Sequence, residues 1–170
     1  METTALPSEC QVRCLEQMSE PLGRVEVAWQ LRHRLKRIIK RRWTYILNWF
    51  SEVAGSRDAA AALGVNAAAN RLQAGDRVRV RSREEIRATL NRWNGLNCTT
   101  FTEEMWPYCD TTQRVMKRVD KFLDERDYRL KRCRCIVLLE GVICEGPKDF
   151  GRCDRSCYLF WREEWLQKIA

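Results

Sequence analysis

From Arg24 to Ala54 the apolar residues Ala28, Leu31, Leu35, Ile38, Ile46 and Trp49 recur at steps of three and four. That spacing draws one stripe along a helix. No Pro or Gly interrupts the run, and good helix formers dominate its first half, so a single helix is predicted over residues 24–54. Gly55-Ser56 supplies the stop. Arg32, Arg34, Lys36, Arg37, Lys40, Arg41 and Arg42 fill much of the remaining surface, and after Arg42 the run WTYILNWF is apolar nearly all round. The helix follows a polar, flexible N-terminus over residues 1–22. It precedes an alanine-rich connector over residues 55–74, with a short helix broken near Gly64 and no chemistry of its own.

At Gly75 the period shifts to two. In GDRVRVRS, Val78 and Val80 face one side while Arg77, Arg79 and Arg81 face the other. Ser82 and Glu85 form a capping box for a helix across EEIRATLNRW, ending at the turn pair Asn94-Gly95. FTEEMWPYCD contains Pro107 and reads as irregular. TQRVMKRVDKF is a second strand through Val115 and Val119 with a basic outer face, and DERDYRLKR is a charged turn. RCRCIVLLEGVIC, the longest apolar run, is a central strand bent at Gly141. EGPKDFGRCDRS is a loop, and CYLFWREEWLQKI closes the chain as strand or helix. The sum is a mainly-β domain over residues 75–170. We expect a small SH3-like barrel or roll of three or four strands with a short internal helix, preceded by the long basic amphipathic helix.

Composition changes this picture in two ways. The chain has 170 residues, 45% of them hydrophobic and 32% charged, which suits one globular domain plus an appendage and argues against disorder. The net charge of +8 directs attention to an acidic partner, against the plain reading that basic proteins are merely soluble. Arg34, Lys36, Arg37, Lys40, Arg41 and Arg42 are the candidate anion-binding residues. Three readings of their helix compete: docking on its own barrel or a second copy, lying on an anionic membrane surface, or meeting nucleic-acid phosphates or an acidic protein. Several tryptophans sit near apolar runs and read as core, so no aromatic ladder for single-stranded nucleic acid is expected. METTALPSECQVRCLEQ has no apolar core of a leader, and no run approaches a membrane span, so a cytoplasmic protein without a transmembrane segment is expected. The single histidine, His33, lies among cations and reads as solvated, which excludes His-dependent triads and His-rich metal sites.

Nine cysteines in a reducing compartment point to thiols or metal ligands, and their odd number argues against a full disulfide set. Five of the nine lie between Cys133 and Trp165. Cys144, Cys153 and Cys157 stand in a C-x8-C-x3-C arrangement across a loop with Gly146, Pro147 and Gly151, which lets its ends converge. A tetrahedral site needs a fourth ligand, and spacing leaves Cys109, Cys133, Cys135 and Cys98 open. Cys133 and Cys135 flank one residue in a strand and so share a face. Cys10 and Cys14 share a helix face but cannot complete a site alone. Zinc is the default occupant and an iron–sulfur cluster the alternative. The opposing reading is that buried cysteines act as small hydrophobes. Glu163 or Glu164 is a candidate general acid or base, against a solvated acidic face; Glu140 is expected to face solvent.

The segments GDRVRVRSREEI, EEMWPYC, LLEGVICEG and GRCDRSCYLFWREEWL together resemble a family of small bacterial proteins of biosynthetic and polysaccharide gene neighbourhoods. The resemblance covers about residues 75–168 and is most specific in its last third. It implies recurring cysteines at Cys109, Cys144, Cys153 and Cys157, and so Cys109 as the fourth ligand. The family's further cysteine after its second strand is absent here, where the chain reads Lys121-Phe122-Leu123-Asp124. The expected function is an accessory or binding module stabilised by a four-cysteine metal site, interacting with a protein or anionic partner. The alternatives are a redox protein of a biosynthetic pathway and a nucleic-acid binder through the arginine-rich helix.

Overall fold

The computed structural model describes residues 18–54, 71–125, 127, 129–146 and 153–169. Cys10 and Cys14, the connector around Gly64, and Pro147 and Gly151 lie outside the described residues.

Helix α1, Arg24–Val53, is the long basic helix, and Glu26 Oε2 caps its start by accepting from Gly23 N–H at 2.9 Å. The β domain contains β1 (Arg77–Val80), α2 (Arg83–Thr89), β2 (Gly95–Leu96), β3 (Thr99–Thr100), and a 3-10 helix over Glu103–Tyr108. Then come β4 (Thr112–Asp124), β5 (Arg129–Leu139), β6 (Ile143–Cys144), β7 (Cys157–Tyr158), β8 (Trp161–Arg162), a 3-10 turn over Glu163–Trp165, and β9 (Leu166–Ile169). Five strands form one antiparallel sheet in the order β8-β5-β4-β1-β9, while β2-β3 and β6-β7 are separate two-stranded ladders. The mainly-β architecture behind a long helix is as expected.

The sheet is open, with β8 and β9 as its edges. Yet only the three residues of the Glu163–Trp165 turn separate those two edge strands. Such a connection spans at most about 14 Å. A flat five-stranded sheet would hold its edges roughly 19 Å apart. The sheet therefore curls, and the turn lies across its mouth.

Several boundaries differ from the sequence reading, each for a local reason. The Ser82 capping box forms, with Ser82 Oγ accepting from Glu85 N–H at 3.2 Å and Glu85 Oε2 accepting from Ser82 N–H at 2.9 Å. The helix it starts ends at Thr89, short of Trp93. Asn91 Oδ1 accepts from Trp93 and Gly95 N–H, at 2.9 and 3.0 Å, and this side chain diverts the backbone from helix into a turn. The segment expected to be irregular winds into a 3-10 helix that buries Met105. Arg129–Arg132, expected in a charged turn, continue β5 opposite Lys121–Asp124. The regular alternation expected at Cys133 and Cys135 is interrupted. The register jumps from Val119↔Ile136 to Lys121↔Arg132, leaving a bulge with Cys135 at φ 58°.

The main core lies inside the curl. Val78, Val80, Val115, Val137 and Leu139 pack with Ile86 of α2, Leu90 just beyond its end, Phe101, Met105, Trp161 and Trp165. Phe101 meets Trp165 edge-on at 5.0 Å and Trp161 at 5.8 Å, the arrangement that opposes ring edge to ring face. Ile136 and Leu138 point outward to a smaller cluster with Val119, so four successive residues of β5 are buried. Trp161 and Trp165 are core, as expected of several tryptophans, while Trp29, Trp43, Trp49 and Trp93 are exposed.

Helix α1 meets the domain through its polar side. Asn48 Nδ2 donates to Arg92 O at 2.9 Å, Tyr45 stacks on Trp93 at 4.5 Å, and Arg41 lies over the same indole at 4.9 Å. Its apolar stripe is exposed: Leu31, Leu35, Ile38, Ile46, Trp49 and Val53 are all open to solvent.

Candidate metal centre

The ladder β6-β7 sets the site. Its register places Ile143 opposite Tyr158 and Cys144 opposite Cys157. Directly opposed residues of an antiparallel pair hold their Cβ atoms about 4.5–5.5 Å apart on one side. Cys153 is brought in by backbone. A Cβ added to Gly146 would stand 2.6 Å from Cys153 O, so only glycine permits this approach. Gly146 also takes φ +87°, a conformation that a Cβ disfavours. Its N–H donates to Cys144 Sγ at 3.4 Å. Cys144, Cys153 and Cys157 are thus held at one corner, Cys144 half-buried and the other two exposed.

Two charged groups frame the corner. Glu104, in the first turn of the 3-10 helix, is the carboxylate neighbour of the Cys144 thiol. Arg155 sits between Cys153 and Cys157 and clamps Glu125, with Nη1 and Nη2 donating to its carboxylate oxygens at 3.0 and 2.5 Å. That clamp ties the segment leading to β7 to the end of the β4-β5 hairpin. Burial pushes the Cys144 thiol up, Glu104 and Cys157 push the same way, and the Gly146 N–H opposes them. A carboxylate beside paired thiols disfavours thiolate until a cation arrives, and a divalent cation inverts that balance. The groups stand as neighbours and do not form a closed shell. Among the described residues, no three or more His, Cys, Asp or Glu side chains already occupy coordinating positions.

Cys109 is elsewhere. It ends the 3-10 helix, packs against the main core, and has Arg83, Asp110 and Glu84 as charged neighbours. Five residues separate it from Glu104 along that helix, a rise of roughly 10 Å. Its charged neighbours differ from those of Cys144, which are Glu104 and Cys157. Cys98 is exposed in the β2-β3 turn. Cys133 Sγ donates to Val119 O at 3.0 Å, and Cys135 lies against Glu164 and Glu163. Glu104 was not singled out from sequence: an acidic residue in a segment read as irregular carries no spacing signal that ties it to a thiol some forty residues on.

Glu163 and Glu164 are buried, not solvated. Glu163 Oε1 accepts from Leu72 N–H at 2.8 Å and pairs with Arg118. Glu164 is paired with Arg162, whose Nε and Nη2 donate to its two oxygens at 3.1 and 2.5 Å. Both carboxylates are consumed in closing the mouth of the sheet. Glu140 faces solvent, as expected, 3.8 Å from Arg114. Of the basic candidates on α1, Arg41 is engaged with Trp93 and Lys40 lies 3.8 Å from Glu103. Arg34, Lys36 and Arg42 are exposed and Arg37 is half-buried. His33 is not simply solvated: its ring lies 4.0 Å from that of Trp29. A groove of about 650 Å³ runs beside the bulge, lined by Phe122, Cys133, Arg134, Tyr158 and Phe160.

No family model, curated protein or solved structure matches this chain. Among the described residues, no helix is long and apolar enough to cross a membrane.

Proposed function

We propose that the protein is an accessory binding module whose β domain, a roll of SH3-like kind, is fastened at one corner by a metal ion. Zinc is the ion of choice, held by Cys144, Cys153 and Cys157, with Glu104 as the fourth ligand in place of Cys109. The observation that carries this reading is the register of β6 and β7, which sets Cys144 opposite Cys157 while Gly146 admits the Cys153 backbone. Three thiolates and a carboxylate are a sound donor set for zinc. Each must lose its proton to bind, so the cation supplies the stabilisation that the empty thiols lack. The β6-β7 ladder has only two residue pairs, and closing it with a metal would contribute folding free energy where packing contributes little.

A binding role is favoured over catalysis because the buried carboxylates Glu163 and Glu164 are committed to Arg118 and Arg162. The groove beside Phe122 and Phe160 is the surface we assign to a protein partner in the cytoplasm, where thiols stay reduced. The test is metal content of the full chain and its variants, purified without air. Cys157→Ser and Cys153→Ser should lose the metal, and Cys109→Ser should keep it. Loss of metal from Cys109→Ser with retention in Glu104→Gln would restore the four-cysteine set. A brown protein containing iron and sulfide would replace zinc by a cluster.

A further inference from the structure

Helix α1 turns the wrong side to its own domain. Amphipathic helices bury their apolar stripe against the core. Here the contacts to the domain run through Lys40, Arg41, Tyr45 and Asn48, and the stripe Leu31, Leu35, Ile38, Ile46, Trp49, Val53 faces away. Leu35 is 62% exposed and Leu31 59%. Some other body must cover a helix of 30 residues, about 45 Å long.

We propose that α1 lies flat on an anionic lipid bilayer, with its apolar stripe in the acyl boundary and the β domain on the aqueous side. Three features of the helix select lipid. First, its charge is one-sided, with eight Arg and Lys against Glu26 and Glu52, a net of six positive charges. Two copies pairing stripe to stripe would bring those sets together. Second, Arg42 falls within the stripe, four residues from both Ile38 and Ile46. A helix partner would bury that guanidinium against apolar side chains, whereas at a bilayer its stem lies along the hydrocarbon and its head reaches the phosphates. Third, Trp49 lies within the stripe and Trp43 toward its margin, both exposed, and indoles favour the headgroup level. A nucleic acid would match the cations but leave Leu31, Leu35 and Ile38 in water. A bilayer satisfies both, and because the domain holds the polar side, insertion disturbs none of its contacts. None of the thiols of the metal corner lies on α1, so this inference stands or falls separately from that site.

The experiment is co-sedimentation of the full chain with vesicles of phosphatidylserine and phosphatidylcholine, read together with tryptophan emission. Binding to the anionic mixture with a blue shift, and weak binding to phosphatidylcholine alone, is the expected result. Leu35→Asn and Ile38→Asn should each lower partitioning about tenfold or more, since each removes a side chain worth that much in apolar burial. Both sites are exposed, so circular dichroism of either variant should match the parent. Lys36→Gln with Arg34→Gln should weaken binding several-fold and blunt its salt dependence. Absence of vesicle binding overturns the proposal. So does binding that Leu35→Asn leaves unchanged, which would mean charge without insertion. Binding to duplex DNA in the absence of vesicle binding would assign the helix to nucleic acid, and a dimer abolished by Leu35→Asn without vesicle binding would assign it to a second copy.

Discussion

Gly146→Ala is the sharpest probe of the metal corner. The substitution adds one carbon, and that carbon would stand 2.6 Å from Cys153 O and 3.1 Å from Cys153 N. Ordinary van der Waals contact begins at 3.4 Å, and the obstructing atoms are backbone, so the Cys153 peptide must move by several tenths of an ångström. Metal–ligand distances hold to within about 0.2 Å, so the displaced thiol would leave the proposed zinc shell. Disturbing groups that merely orient ligands typically costs 10–100-fold in metal affinity, and we expect a loss near the upper end of that range. The left-handed backbone, at φ +87°, adds roughly 1–2 kcal/mol of strain whether or not metal is present. Gly141→Ala isolates that second cost: Gly141 has φ +69° and nothing within 4 Å of the added carbon. The assay is competition with a chromophoric chelator, alongside thermal melts of both variants with and without metal. The expected outcome is a melting loss in metal-free Gly146→Ala at least as large as in Gly141→Ala, and a large affinity loss for Gly146→Ala alone. Equal metal affinity in the two variants would refute the reasoning.

Two further predictions follow from buried and charged groups. Glu163→Gln keeps an oxygen for Leu72 N–H but leaves Arg118, 15% exposed, facing a neutral amide. Removing one partner of a buried pair costs roughly 3–5 kcal/mol, and the retained Arg118–Asp120 contact at 3.2 Å brings the expected loss in chemical denaturation to about 2–3 kcal/mol. Stability against pH should fall at both ends. Lys168 and the Gln73 N–H hold Asp76 below the usual carboxylate range, and Arg155 does the same for Glu125. A depressed folded pKa gives stability that is present above about 4 and lost as pH falls through the folded value. Burial raises the thiols of Cys109 and Cys133, so above about pH 8.5 the unfolded chain loses protons first and stability drops. A denaturation midpoint flat from pH 3 to pH 10 would contradict both assignments.

What was legible in the sequence is what local pattern encodes. The Val78–Val80 alternation, the Ser82–Glu85 box and the span of α1 are decided within a few residues, and the structure has them where the pattern placed them. The corner was legible only in part. C-x8-C-x3-C announced that Cys144, Cys153 and Cys157 share a loop, but the proposed fourth ligand, Glu104, comes from a segment forty residues away that no local spacing links to them. Cys109 was expected there, and it packs against the main core at the end of the 3-10 helix. The bulge at Cys133–Cys135 was hidden because a register slip leaves no mark on an apolar alternation. Glu163 and Glu164 read as a solvated pair because the partners that bury them, Arg118 and Leu72 above all, come from distant strands and loops. The stripe on α1 was seen correctly, while its direction was not: amphipathicity says that a face is covered, and only the Asn48, Tyr45 and Arg41 contacts reveal that the domain holds the other one.

The most direct measurement of the central claim is elemental analysis of the full chain, purified under reducing conditions without air, with its visible spectrum. The account predicts one zinc per chain, no colour, and release of the metal with loss of the corner when a strong chelator is added. Protein free of zinc and iron, with Cys144, Cys153 and Cys157 all reacting with a thiol reagent and the fold unchanged by chelator, would contradict it.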